Sequence, residues 1–300
     1  MTLESHRHAG FIKKISVAAV AFLLHGGGVQ AQEISFDKLQ KVDAIYSALP
    51  DNIKKAGKIV AATEADYAPF EFLDSENKLI GADIDLSKAL GLIMGVPVEN
   101  QQTPFSAIMP GLQAKRFDVG ISSVGDYVAR EVTMDFVDYY RGGTSFLTPA
   151  TATEPKALED ICGTKVGVLA GTASEKQAKE ASTKCTGMGK PEITVNTYPN
   201  QNDAILALMS GRIDSVSGDS ASNGYAAKQV GPKIKNVGRQ VYGDQPYYGI
   251  AIPKGSPLYQ PFFDAMGELM KSGVYTEIMT KWGLADGAIP KPLKNQVQPG

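Results

Sequence analysis

Phe105-Ser-Ala-Ile-Met-Pro-Gly-Leu-Gln-Ala-Lys-Arg-Phe-Asp-Val-Gly-Ile-Ser-Ser-Val-Gly-Asp-Tyr-Val-Ala-Arg-Glu-Val-Thr-Met-Asp-Phe-Val-Asp-Tyr-Tyr140 places an aromatic residue, a helix, a strand, a polar turn and an arginine in one run. Residues 106–115 read as a short helix and 119–122 as a buried strand. Residues 123–126 read as a small polar turn, and Arg130 follows it. The alternation continues on both sides. Upstream, 58–63 and 96–101 read as strands around a helix at 83–94, where Ile84, Leu86, Leu90 and Ile93 sit near helical spacing. Downstream, the pattern restarts after Pro149 and Pro155. Residues 165–169, 193–198 and 213–217 read as strands. They are separated by helices from Ser174, from the capping Asn200 to about Ser210, and over 221–228. Two successive β-α-β-α-β runs predict α/β architecture with mostly parallel sheets in two similar lobes. A strand at 247–252 and amphipathic helices at 257–271 and 274–282 do not extend the second run. The tail 289–300, rich in Pro and polar residues, is expected to be surface-bound or loose. Residues 33–57 read as a helical extension without functional signal.

The first 31 residues read as a signal peptide. Arg7, Lys13 and Lys14 form a basic start, residues 15–24 an apolar run, and Val29-Gln30-Ala31 a small-x-small cleavage site. A run of ten residues is too short for a membrane span, which takes about 20. No cysteine near the cut marks a lipid anchor. The expected location is therefore the periplasm. Removing that segment takes Lys plus Arg from 30 to 27 and Asp plus Glu from 32 to 31, so the net charge becomes 27 − 31 = −4 over 300 − 31 = 269 residues. No basic footprint for nucleic acid is present. His6, His8 and His25 are the only histidines, and all lie in the leader. That excludes His-based nucleophilic sites and His-ligated zinc from the exported chain. No metal or cofactor is expected. Cys162 and Cys185, an isolated pair in an exported protein, read as a disulfide rather than two free thiols.

Several motifs recur in one order. They are Thr63-Glu-Ala-Asp-Tyr-Ala-Pro-Phe70, Gly81-Ala-Asp-Ile-Asp-Leu86, the quoted stretch, Gly171-Thr-Ala-Ser174, and Gly211-Arg-Ile-Asp214 with Asp219. Together they cover about 58–284. This pattern resembles the periplasmic amino-acid-binding proteins of bacterial ABC importers, the extracellular solute-binding proteins of family 3. The resemblance implies a two-lobed, type II periplasmic-binding-protein fold with a two-strand hinge. Residues 32–145 with 247–300 would form lobe 1, and 146–246 lobe 2. The chain would cross between lobes near 145–149 and near 243–246.

A free amino acid is a zwitterion, so burying it requires both signs of charge at fixed spacing; an unpaired buried charge costs several kcal/mol. The resemblance assigns the α-carboxylate to Arg130, whose guanidinium can pair bidentately. It adds the helix-start amide of Ala173 beside Thr172. It assigns the α-ammonium to Asp219, which on pattern alone reads as an N-cap for the following helix. Ser123 would contribute its carbonyl or hydroxyl. Gly125 replaces a Ser or Thr common in relatives and leaves only a backbone N–H. Tyr67 and Phe105 match an aromatic pair that sandwiches the ligand side chain. Glu64 and Asp83 fall where relatives recognise its tip, which favours a polar or basic ligand. Arg141 argues the other way, toward pairing with Glu64 or Asp138 or toward an acidic ligand.

The expected function is a monomeric receptor that closes on an amino acid and delivers it to ABC permease subunits. A cyclohexadienyl-dehydratase-like enzyme on the same scaffold is the alternative. A soluble partner of a membrane sensor is a third reading.

Overall fold

The structure is a computed structural model and describes residues 34–239, 241–242 and 247–297. The signal-peptide reading at 1–31 and the expected crossing at 243–246 lie outside these residues.

The strand of the quoted stretch, Val119–Gly125, is buried along its whole length inside a six-stranded sheet. The order across that sheet is Ala288–Lys294, Met134–Arg141, Tyr247–Pro253, Val119–Gly125, Ile59–Thr63 and Val98–Gln102. A second sheet has five strands in the order Thr194–Tyr198, Lys165–Leu169, Ser215–Asp219, Thr144–Pro149 and Ile234–Val237. The two mirror each other: in each, parallel strands run beside antiparallel ones. Both sheets are therefore mixed, not mostly parallel. Ile59–Thr63 pairs in parallel with two neighbours, but Tyr247–Pro253 runs antiparallel to both of its own. The reason is topological. A β-α-β crossover enforces parallel pairing, whereas strands reached by direct return or by crossing from the other sheet are free to pair antiparallel.

The chain leaves the first sheet after Arg141 and enters the second at Thr144, so the first crossing is Gly142-Gly143 rather than 145–149. Thr144–Pro149 is a strand of the second sheet, with its first five residues buried. A side chain at Gly142 would not fit: its Cβ would fall 2.4 Å from the Tyr248 ring. The tail is also corrected. Ala288–Lys294 forms the edge of the first sheet, paired antiparallel with Met134–Arg141. Its prolines, which lack a ladder donor, are tolerated because one side of an edge strand needs no partner.

Each sheet has its own core. Leu86, Leu90, Ile121, Val137, Tyr139 and Phe262 belong to one cluster; Phe146, Val166, Val168 and Ala178 to another. Removing a fully buried Phe or Leu from either costs about 2–5 kcal/mol, because a cavity is left behind. Residues 34–57, read as a helical extension, pack on the first core. Ile45, Leu49 and Ile53 are buried in the first core, and Glu277 accepts from the Ser35 N–H at 2.9 Å. Cys162 and Cys185 form a disulfide that ties the segment before Lys165–Leu169 to the helix Ala173–Gly187. Closing such a loop stabilises by about 3 kcal/mol in the chain-entropy model.

Candidate functional site

The strand ends of the two sheets face each other across a narrow cavity of about 40 Å³, room for a few water molecules as it stands. From the first sheet's side it is lined by Tyr67, Phe105, Ser123, Gly125 and Arg130. From the second come Thr172, Ala173 and Asp219. These are eight of the ten residues singled out as ligand contacts. Tyr127, Thr144, Leu169, Ser174 and Tyr248 complete the wall.

Arg130 follows the strand by way of a short helix, Val128–Glu131. One guanidinium nitrogen donates to the Gly125 carbonyl at 2.7 Å, and the other to the Gly171 carbonyl at 3.1 Å. The first bond holds the head beside its own strand; the second reaches the opposite side of the cavity. Burial lowers the guanidinium pKa, with nearby Tyr127 and Asp126 opposing. Arginine stays charged regardless, so this is a desolvated cation with donors to spare. Across from it, Ala173 opens a helix of 15 residues, Ala173–Gly187. Its N–H is one of the first-turn amides that have no intrahelical acceptor. Thr172 is the N-cap of that helix. Its hydroxyl donates to the Leu169 carbonyl at 2.7 Å and accepts from the Glu175 N–H at 3.3 Å. The hydroxyl is thus spent on the cap, and the amides are what the helix offers an anion.

Asp219 caps the following helix, as its pattern predicts, and also lines the cavity. One carboxylate oxygen caps the helix Ser220–Val230, accepting from the Ala221 and Ser222 N–H groups at 2.8 and 2.9 Å. The other accepts from the Tyr248 hydroxyl at 2.6 Å and faces the cavity wall. Burial raises its pKa, against the pull of these donors. The Asp219 N–H donates in turn to the Tyr67 hydroxyl at 3.1 Å.

Asp83 and Glu64 are not on the wall. Asp83 is wholly buried, and both oxygens are taken: one by the Ser123 N–H at 2.6 Å, the other by the Tyr139 hydroxyl at 2.7 Å. Asp83 therefore does not read the ligand tip. It holds Ser123, whose φ of 41° lies in the left-handed region, a conformation that costs a non-glycine residue about 1–3 kcal/mol. The helix Ala82–Met94 presents that carboxylate from inside its first turn, which is why the Gly81-Ala-Asp motif looked like a contact motif. Glu64 is 5 % exposed, its N–H donates to the Ser122 hydroxyl, and its Oε2 is buried without a hydrogen-bond partner. Burial, then Asp66, push its pKa up to about 8. Its charge adds a little to the rise in the Tyr67 phenol's pKa, which comes mainly from burial and Asp219. Arg141 lines a different cavity, with Lys228, Arg239 and Asp286, and lies 5.9 Å over the Tyr247 ring. It makes no ion pair with Glu64 or Asp138 among the described residues.

Contacts across the cavity mouth continue outward. The Ser222 hydroxyl donates to the Ala68 carbonyl at 2.5 Å, and Asp66 accepts from Asn202. Two β/α bodies thus meet around a small cavity whose wall carries one guanidinium and one carboxyl.

Residues 59–285 match the sequence profile of the bacterial extracellular solute-binding proteins, family 3. The chain belongs to that family. It is similar to the arginine-binding protein ArgT of Corynebacterium glutamicum, 31% identical over 256 residues, which is 85% of this chain and 84% of that protein. Among solved structures it is similar to an ancestral arginine-binding protein bound to arginine, with a TM-score of 0.70, 34% identity, and 75% of this chain and 98% of that one covered. It is also similar to an ancestral amino-acid-binding protein described as a precursor of cyclohexadienyl dehydratase, at a TM-score of 0.69 and 33% identity over 77% of this chain and 98% of that one.

Proposed function

We propose that this family member is a periplasmic receptor that binds a free α-amino acid between its two bodies and delivers it to the permease of an ABC importer. One observation carries the reading. Arg130 and Asp219, of opposite charge and from opposite sides, line the same cavity. Each solvates one end of a zwitterion that would otherwise be desolvated without a partner. The α-carboxylate is taken by the Arg130 guanidinium and the helix-start amide of Ala173, and the α-ammonium by Asp219 and Ser123. Tyr67 and Phe105 hold the aliphatic stem.

For the side chain, a cationic tip is favoured. The names of the relatives ArgT and the arginine-bound ancestral protein support that class. The likeness to a dehydratase precursor keeps the enzymatic alternative concrete. The wall holds one carboxyl, Asp219, and its two oxygens accept from Tyr248 and from the Ala221 and Ser222 amides. That arrangement suits a fixed anion better than a proton donor.

A thermal-shift screen against the common amino acids, ornithine, citrulline and arogenate tests the reading. The expected outcome is the largest shift with arginine or another basic amino acid. At a hundredfold excess over the dissociation constant the ligand adds about 2.7 kcal/mol. If glutamate or aspartate dominates, the side-chain assignment fails; if arogenate is turned over, the receptor reading does.

A further inference from the structure

Gly125 and Tyr127 are a matched pair in this cavity. A Cβ at position 125 would lie 2.5 Å from Cε2 of Tyr127 and 3.3 Å from its Cδ2 and Cζ atoms. The space that any side chain at 125 needs is filled by the Tyr127 ring. That ring lines the cavity, and the guanidinium carbon of Arg130 lies 5.5 Å from its centre. On the Phe105 side the same carbon is 5.6 Å from that ring's centre. The guanidinium therefore has an aromatic ring within cation–π reach on two sides. The backbone at 125 is also engaged, since its carbonyl is the 2.7 Å acceptor for Arg130.

We infer that Tyr127 is a positioning residue for the carboxylate-binding cation, and that Gly125 exists in this chain to admit it. Arg130 sits on a four-residue helix, Val128–Glu131, and its long side chain has several rotatable bonds. A planar ring packed on the guanidinium removes rotamers, so less entropy is lost when the carboxylate binds. The ring also displaces water from the cation, which strengthens its pairing with the ligand. A hydroxyl at 125 would supply a hydrogen bond directly; here that bond is exchanged for a held arginine. The inference rests on the proposal that Arg130 takes the ligand's α-carboxylate.

The test is a double-mutant cycle read by calorimetry against the twenty common L-amino acids, with the melting temperature of each unliganded variant recorded. Tyr127→Thr is expected to weaken every amino acid that binds by at least about tenfold, the carboxylate being common to all. Gly125→Ser in the presence of Tyr127 should do the same, since the ring must be pushed off the guanidinium. Tyr127→Phe should recover most of what Tyr127→Thr loses, because the ring and not the hydroxyl packs on Arg130. The double variant Gly125→Ser with Tyr127→Thr should bind better than either single one. Additive losses, or Tyr127→Thr binding as the parent does, overturn the positioning role. A parent that binds none of the twenty overturns the amino-acid reading, and the clamp with it.

Discussion

Arg130 and Asp219 were singled out through the family resemblance, since on pattern alone Asp219 reads as an N-cap, and both line one cavity. Asp83 was not legible, because a carboxylate in a helix's first turn looks the same in sequence whether it faces a ligand or a neighbouring backbone. Its position predicts a distinct phenotype. Asp83→Ala leaves the Ser123 N–H and the Tyr139 hydroxyl unpartnered, at about 1–3 kcal/mol each. It also releases Ser123 from its left-handed conformation. A lower melting temperature and weaker amino-acid binding are expected together, although Asp83 does not line the cavity; unchanged affinity in a folded variant would contradict this. Tyr127 and Tyr248 were missed for a related reason. An aromatic in a loop or an apolar strand carries no sign of whether it packs in a core or on a wall.

The buried carboxyls also set a pH dependence. Burial raises the pKa of Glu64 and Asp126 to about 8, of Asp138 to about 7 and of Asp83 to about 6, from 4.5 or 3.8. Raised values mean that the folded chain keeps protons that the unfolded chain gives up. Stability is then highest below the unfolded values and declines as pH rises through the folded ones. The urea midpoint of the unliganded protein is expected to fall from pH 5 to pH 8. A midpoint that rises over that range would show these carboxyls to be ionised and paired instead.

At the scale of elements, the strands and helices of both β-α-β-α-β runs were readable from periodicity, and the structure shifts their ends by only a few residues. Two things were not. The strands Met134–Arg141 and Thr144–Pro149 follow each other with only Gly142-Gly143 between them, so the crossing point had no local mark beyond two glycines. The closing strand was hidden by Pro290 and Pro292, which argue against a strand unless it lies at an edge. Its role there is protective. It covers Met134–Arg141, and the Ile289 N–H donates to the buried Tyr275 hydroxyl at 3.0 Å. Truncation before Ala288 should lower the melting temperature and expose a strand edge that pairs with other chains. A truncated protein that melts as the parent does and stays monodisperse in light scattering would show the strand to be dispensable.

At the scale of the molecule, the bonds from Arg130 to Gly171, from Asp219 to Tyr67 and from Ser222 to Ala68 all run between the two bodies. Residues of the cavity therefore also hold it shut. A ligand that pairs with Arg130 and Asp219 adds its binding energy to the closed arrangement alone and shifts the population toward it. The pairing of opposite charges across the gap is the central claim, and Asp219→Asn isolates it. Asparagine is as good an N-cap as aspartate, so the helix Ser220–Val230 keeps its cap while the cavity loses its anion. Calorimetric titration of that variant with L-arginine, beside the parent, is the direct measurement. The account predicts a parent that binds and a variant that is folded yet at least about a hundredfold weaker, which is about 2.7 kcal/mol. Equal affinity in the two would contradict it.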